Sequence, residues 1–237
     1  MHIHRPKAVT GLGEFLAEIG VIVVGIAIAL GGEQVVEHFR TEARLHAVED
    51  QMRWEVSRDD GPQAAVRVAL SPCAASSLAR MRAQAEAGAS RAELWSSIAA
   101  YQIPHYTWDS LSYQAALASG VAAHMNLEAF HRWELIFSVI PALNGADENE
   151  RRDGAELRAL GRTGGAITPD ERARLLGAVE KLATDNAELT GFAQFTLNGM
   201  KQADIKPAPE RAPWAMGELQ DRPMAAACLP ALKRMLQ

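Results

Sequence analysis

Chemistry in this 237-residue chain would have to come from its seven histidines, its two cysteines and its clustered aromatic and acidic residues. Glu128-Ala129-Phe130-His131 puts a carboxylate and an imidazole one helical turn apart, the Glu-x-x-His spacing of di-iron carboxylate bundles. Such a centre takes a second copy of the motif and two further glutamates on facing helices. No second copy occurs, so the pair reads as a helix surface. His124 and His131 fall roughly on one face and read as exposed or hydrogen-bonded residues rather than ligands. His2 and His4, near the N-terminus, could hold a metal only loosely. The run Gly161-Arg162-Thr163-Gly164-Gly165 resembles a phosphate cradle, but a cradle follows a strand and leads into Lys-Ser or Lys-Thr, whereas helical patterns flank this one. Gly-x-Ser-x-Gly, His-Glu-x-x-His and Cys-x-x-Cys do not occur. The sequence therefore assigns no catalytic residue, no metal and no cofactor.

The densest aromatic region is Trp108-Asp109 with Tyr106, Tyr113, Trp133 and Phe137. These rings read first as a domain core. The alternative is a ligand or partner groove lined by Trp108, Asp109, Tyr113 and Trp133, with His105 or His131 as further polar groups.

The element that decides where these residues sit is at 15–32, FLAEIGVIVVGIAIALGG, apolar or small throughout except for Glu18. As a helix it spans ~27 Å, close to the ~30 Å hydrocarbon core of a bilayer. A secretory signal peptide is the competing reading, with Arg5 and Lys7 as its basic region and Ala27-Ile28-Ala29 as a small-x-small cut. Against it, Glu14 and Glu18 lie beside or inside the apolar run, no turn-forming segment precedes the cut, and a helical pattern continues through Gly31-Gly32 into 33–58. An uncleaved anchor is the expectation. Gly25 and Ala29 form a small-xxx-small pair that Gly32 nearly continues, and Gly13, Ala17 and Gly20 make a second strip, the residue types that let membrane helices approach closely. Glu18 either snorkels to the headgroups or faces a partner helix or polar site.

Lys and Arg counts near the two ends of the span are nearly even, so they do not fix its orientation. Cys73 and Cys228 serve as the tie-breaker, because disulfides persist in oxidising compartments. The expected organisation is a cytoplasmic N-terminus at 1–14, the span at 15–32, a helical extracytoplasmic domain at 33–205 and a Pro-rich strap at 206–237. In that compartment the two cysteines invite a disulfide pinning the tail to the second helix, worth ~5 kcal/mol in the chain-entropy picture. Two buried free thiols are the alternative. With 48% apolar residues the chain can build one sizeable domain beyond the anchor, and a net charge of −5 of mixed sign offers no basic face for nucleic acid.

The pattern EFLAEIGVIVVGIAIALGGEQVVEHFR, together with WDSLSYQAALASG at 108–120 and the aromatic stretch at 130–136, resembles an uncharacterised family of bacterial single-pass inner-membrane proteins. The resemblance implies membrane anchorage, a periplasmic helical domain and no assigned activity.

Outside the span, period-2 alternation is nearly absent and the fold class expected is all-α. A helix at 33–58 should continue the span and end at Asp59-Asp60-Gly61-Pro62, where the next begins. The helix at 63–87 carries Ser71-Pro72, which predicts a kink or break near Cys73. Ser90-Arg91-Ala92-Glu93 is a capping box opening a short helix to about Ala100. A loop at 101–106 leads to a helix at 107–119 stopped by Gly120. Asn126 caps another that runs to Ile140, where Pro141 interrupts it. After a charged helix at 147–160, Thr168-Pro169-Asp170-Glu171 combines a cap, a first-turn proline and a reciprocal glutamate, opening a helix to about Met200. From Lys206 onward, five prolines rule out long helices and predict an extended or partly disordered strap. Two function classes stand: a membrane-anchored interaction or scaffold protein, partnered by lipid and by its own copies or another membrane protein, and a periplasmic ligand-binding or enzymatic module built on the Trp108 region.

Overall fold

The computed structural model describes residues 11–162 and 164–236. Arg5, Lys7, His2 and His4 lie outside the described residues, as do Thr163 and the side chain of Glu14. The described chain is all-α, without strands. It divides into two units, Met1–Ala47 and Val48–Gln237.

The first unit is helix α1 (Leu12–Glu55) as far as Ala47. Among the described residues one helix is long and apolar enough to cross a membrane: its 18-residue window of mean hydropathy 2.3 lies near the N-terminus and none of it is buried. Phe15, Val21, Ile22, Ile28 and Leu30 are 50–74% exposed, and beyond the glycines Val36 and Phe39 are still 49% and 64% exposed. A Cβ added at Gly20, Gly25 or Gly32 would meet nothing within 4 Å. Glu37 approaches Arg40 at 4.0 Å and Arg44 at 3.9 Å; at such exposure these pairs contribute little.

In the second unit the expected break at 59–62 does not occur. The chain passes from α1 into α2 (Gly61–Glu86) through a π turn, Val56–Asp60. Pro62 has no N–H to donate, and its ring would collide with a carbonyl four residues back in a tight helix. The wider turn absorbs it: the Gly61 amide donates five residues back to the Val56 carbonyl. The carbonyls freed by the wider turn are taken by the C-terminal tail. Ser57 O accepts the Ala208 amide at 2.7 Å, and Arg58 O accepts Arg211 Nε at 2.7 Å. α2 also runs through Pro72 without ending. It can do so because it is packed on two faces, so tertiary burial outweighs the local preference. Ala74, Leu78, Met81 and Ala85 meet Leu94 and Ile98 of α3 (Arg91–Ala100), Leu157 of α6 (Ile140–Arg162) and Leu175, Val179 and Leu182 of α7 (Pro169–Gln202). Ala65, Val66, Ala69 and Leu70 meet the tail.

The capping boxes at Ser90 and Thr168 form as the sequence predicts. Asn126 caps α5 (Leu127–Phe137), its side chain accepting the Ala129 amide at 2.8 Å. α4 (Leu111–Ala118) starts later than the pattern indicates, and Gly120, at φ 74°, closes it in a conformation that favours glycine. Pro141 opens α6 rather than interrupting α5: the helices part at a two-residue turn, and the proline occupies a first-turn position where its missing N–H costs nothing. The loop at 164–168 is no phosphate cradle. Arg91 holds it, donating to Gly165 O at 2.8 Å, Leu160 O at 3.1 Å and Ala166 O at 3.2 Å, and to the Glu171 carboxylate at 2.8 Å.

The tail folds into short helices instead of an extended strap. α8 (Ala212–Gln220) and α9 (Leu229–Met235) each begin with a proline in the first turn, so the prolines limit length without preventing helix. Ala215, Leu219, Cys228 and Leu232 bury against α2. Cys73 and Cys228 form a disulfide, Cα–Cα 6.2 Å, that fixes the tail to the middle of α2.

Candidate functional site

Trp108 and Asp109 lie in the segment between α3 and α4, and side chains rather than secondary structure hold that segment. Asn144 of α6 pairs with Trp108 from both sides, its Oδ1 accepting the Trp108 amide at 3.1 Å and its Nδ2 donating to the Trp108 carbonyl at 2.9 Å. One turn on, Asp147 accepts the Tyr106 amide at 3.3 Å and lies 3.3 Å from His105 Nδ1. Asp109 Oδ1 accepts the amides of Ser110 and Leu111 at 2.8 and 3.2 Å, an Asx turn that opens α4.

This segment docks on the π turn through two buried acids. Glu55 Oε2 accepts the Ser112 amide at 3.0 Å, and Asp60 Oδ1 accepts the Asp109 amide at a long 3.5 Å. Asp60 is 0% exposed and Glu55 7%. Their other oxygens, Asp60 Oδ2 and Glu55 Oε1, have no hydrogen-bond partner among the described residues, nor do the buried Ser112 Oγ and Trp108 Nε1. Burial drives the Asp60 carboxyl up from the ordinary range to about 8, with the charges of Glu55, Asp59 and Asp109 adding to the shift and the Asp109 amide opposing it. Burial also raises Glu55, against the opposing pull of Ser112. The chemistry open to such a pair is to hold a proton at neutral pH where an ordinary carboxylate would not.

A second polar centre joins α2, α6 and α7. Arg67, 2% exposed, donates to both oxygens of Glu150, 1% exposed, at 2.8 and 2.7 Å, and to Asn186 Oδ1 at 2.9 Å. Asn186 Nδ2 in turn donates to Ser71 Oγ at 3.2 Å. Burial raises Glu150 while Arg67 pulls it down. Nearby Asp185 is held at about 6, by burial first and then by Asp153 and Glu150. The fork-to-carboxylate geometry uses both ends of the pair. It acts as a register pin between three helices rather than as a reactive group.

The rings separate into two sets. Tyr106 stands edge-on to Trp108 at 6.0 Å and tilted to Trp214 of α8 at 5.8 Å. Tyr113 stacks on Phe137 at 5.1 Å, and Trp133 lies 6.1 Å from Phe137. Trp108 and Trp133 are 3% and 5% exposed, so they fill interior rather than line an open groove; Asp109 and Tyr113 are half-buried. Glu128 and His131 of the Glu-x-x-His pair are exposed, and His131 Nδ1 lies 3.1 Å from Glu134. Among the described residues no group of three or more His, Cys, Asp or Glu side chains is arranged to hold a metal. Glu18, Gly25 and Ala29 lie along the exposed α1.

Sequence reasoning singles out Asp109 and Trp108 but misses Glu55, Asp60, Arg67 and Glu150. For Arg67 a signal exists: it is the single charge in the apolar run Ala64-Ala65-Val66-Arg67-Val68-Ala69-Leu70. For Asp60 the signal misleads, because Asp-Gly-Pro reads as a helix end. Comparison with family models, curated proteins and solved structures finds no match.

Proposed function

We propose that this is a single-pass membrane-anchored helical interaction protein, akin to the bacterial inner-membrane family its first segment resembles, which self-associates or serves as an accessory subunit of an envelope complex. The observation that carries the reading is the α1 surface: large apolar side chains from Phe15 to Phe39 stay exposed among the described residues. Lipid covers such a surface over the ~30 Å it can span, and small residues at Gly25 and Ala29 let a second helix approach. Glu18 then takes a polar partner or the headgroup boundary. The disulfide favours a domain on the oxidising side of the membrane, with the N-terminus in the cytoplasm. The ligand-binding alternative is the weaker reading, because Trp108 and Trp133 pack inward.

Two measurements test this. Mass spectrometry of protein extracted from membranes should recover peptides from 1–7; a mature N-terminus near Leu30 overturns the anchor. Sedimentation in mild detergent should find an oligomer that Gly25→Leu or Ala29→Leu weakens, while the far-UV circular dichroism of the outer domain is unchanged. A wild-type monomer across the concentration range refutes the scaffold reading.

A further inference from the structure

The π turn is gripped from two sides. The tail takes its freed carbonyls, and the segment leading into α4 donates amides to its acids. The two grips differ in kind. On the tail side the ionic contacts reinforce backbone bonds: Arg58 pairs with Glu210 at 2.8 Å, and Arg211 with Asp59 at 3.4 Å. On the α4 side each contact ends on a carboxyl buried without a cation. Glu55 faces Asp60 from α1, Asp59 from the turn itself and Asp109 from the docked segment. The cations of the turn are engaged elsewhere, Arg58 on Glu210 and the Trp54 ring, Arg211 on Asp59 and the Trp214 ring.

We propose that Asp60 is a proton-dependent latch: with Asp60 neutral, the Trp108–Ser112 segment stays docked on the π turn, and raising the pH progressively favours its release. A neutral carboxyl tolerates full burial and can still accept the Asp109 amide, whereas a carboxylate there has no counter-ion and only one long hydrogen bond. Release hydrates the acid and frees the N-terminus of α4. It also uncovers Trp108, whose indole N–H has no partner among the described residues while docked. The sign follows from linkage. The docked state binds the proton more tightly, so docking is strongest below the ordinary carboxyl range. It weakens about tenfold for each pH unit from there to about 8, and levels off above, where both states have lost the proton. This inference does not depend on the membrane reading.

The test is hydrogen exchange of the full-length protein in detergent between pH 5 and 9, corrected for intrinsic rates and read at the Asp109 and Ser112 amides. Protection should fall about tenfold per pH unit up to about 8 and then flatten. Asp60→Asn keeps the acceptor oxygen and removes the proton, so its profile should lose most of the slope, any remainder coming from the buried Glu55. Glu55→Gln should keep a slope. Infrared difference spectra should show, at pH 7, the carbonyl stretch of a protonated carboxylic acid that Asp60→Asn lacks and Glu55→Gln retains. Because burial also raises Glu55 and Glu150, that loss assigns the band, and the wild-type slope of protection keeps the test standing if Asp60→Asn folds poorly. Flat wild-type protection, an unchanged slope in Asp60→Asn, or no protonated-acid band at pH 7 each overturn the latch.

Discussion

Arg67→Met is expected to cost about 3–5 kcal/mol of stability, because it leaves Glu150 buried at 1% exposure without its counter-ion. For a domain of this size, with a total of about 5–15 kcal/mol, that is a fifth or more of the margin. The loss should depend on pH in a known direction. Burial already holds Glu150 above the ordinary glutamate range, and removing Arg67 removes the main influence pulling it down, so it rises further. A carboxyl raised in the folded state gives stability that is intact below its unfolded value and is lost as pH climbs through its folded value. The variant should therefore lose stability more steeply with rising pH than the wild type does. Replacing both partners, Arg67→Met with Glu150→Leu, should recover most of the deficit, since an apolar pair of similar volume leaves no charge stranded. Urea denaturation followed by circular dichroism at several pH values reads the wild type and both variants. A single Arg67→Met variant within about 1 kcal/mol of wild type would mean that the pair is hydrated rather than buried.

The contrast between this pair and the π-turn acids shows what sequence could and could not reveal. Helix identity was legible wherever a local device fixed it: the capping boxes at Ser90 and Thr168, the Asn126 cap and the Gly120 stop need only neighbours within four residues. The long apolar helix was legible because its length and apolarity, those a bilayer would require, sit on one continuous segment. Prolines misled in both directions. At Pro62 and Pro72 local chemistry says stop, yet the chain continues, because Met200 and the tail pack against α2 and the freed carbonyls at 57 and 58 find donors about 150 residues away. At Pro141 the residue that seemed to break one helix begins the next. The polar centres were illegible for the same reason. Glu150 is one acid among several on a charged helix, and only the facing Arg67 and Asn186 distinguish it from Glu148, which pairs with Arg151 in solvent.

Removal of the Cys73–Cys228 disulfide is the second large effect, expected to lower stability by about 2–5 kcal/mol. The bridge joins residues 155 apart, so in the unfolded chain it closes a loop whose entropy alone is worth about 5 kcal/mol in the simplest account. The tail would not detach outright. Ala215, Leu219 and Leu232 remain an apolar face for α2, and the Ala208 and Arg211 bonds to the π turn remain in place. Alanine is the right probe at both positions, because a serine hydroxyl would be buried where the cysteines are 5–9% exposed. The double variant Cys73→Ala, Cys228→Ala should unfold at lower urea and be indifferent to reductant, whereas the wild type should shift to nearly the same midpoint only when reduced. Coincident wild-type curves with and without reductant would remove the bridge from the stability argument. The same bridge bears on topology. Protein alkylated directly from cells and then denatured without reductant should show no free thiol if the domain faces an oxidising compartment. Two readily alkylated cysteines would place it in a reducing one, and the proposed orientation would have to be reversed.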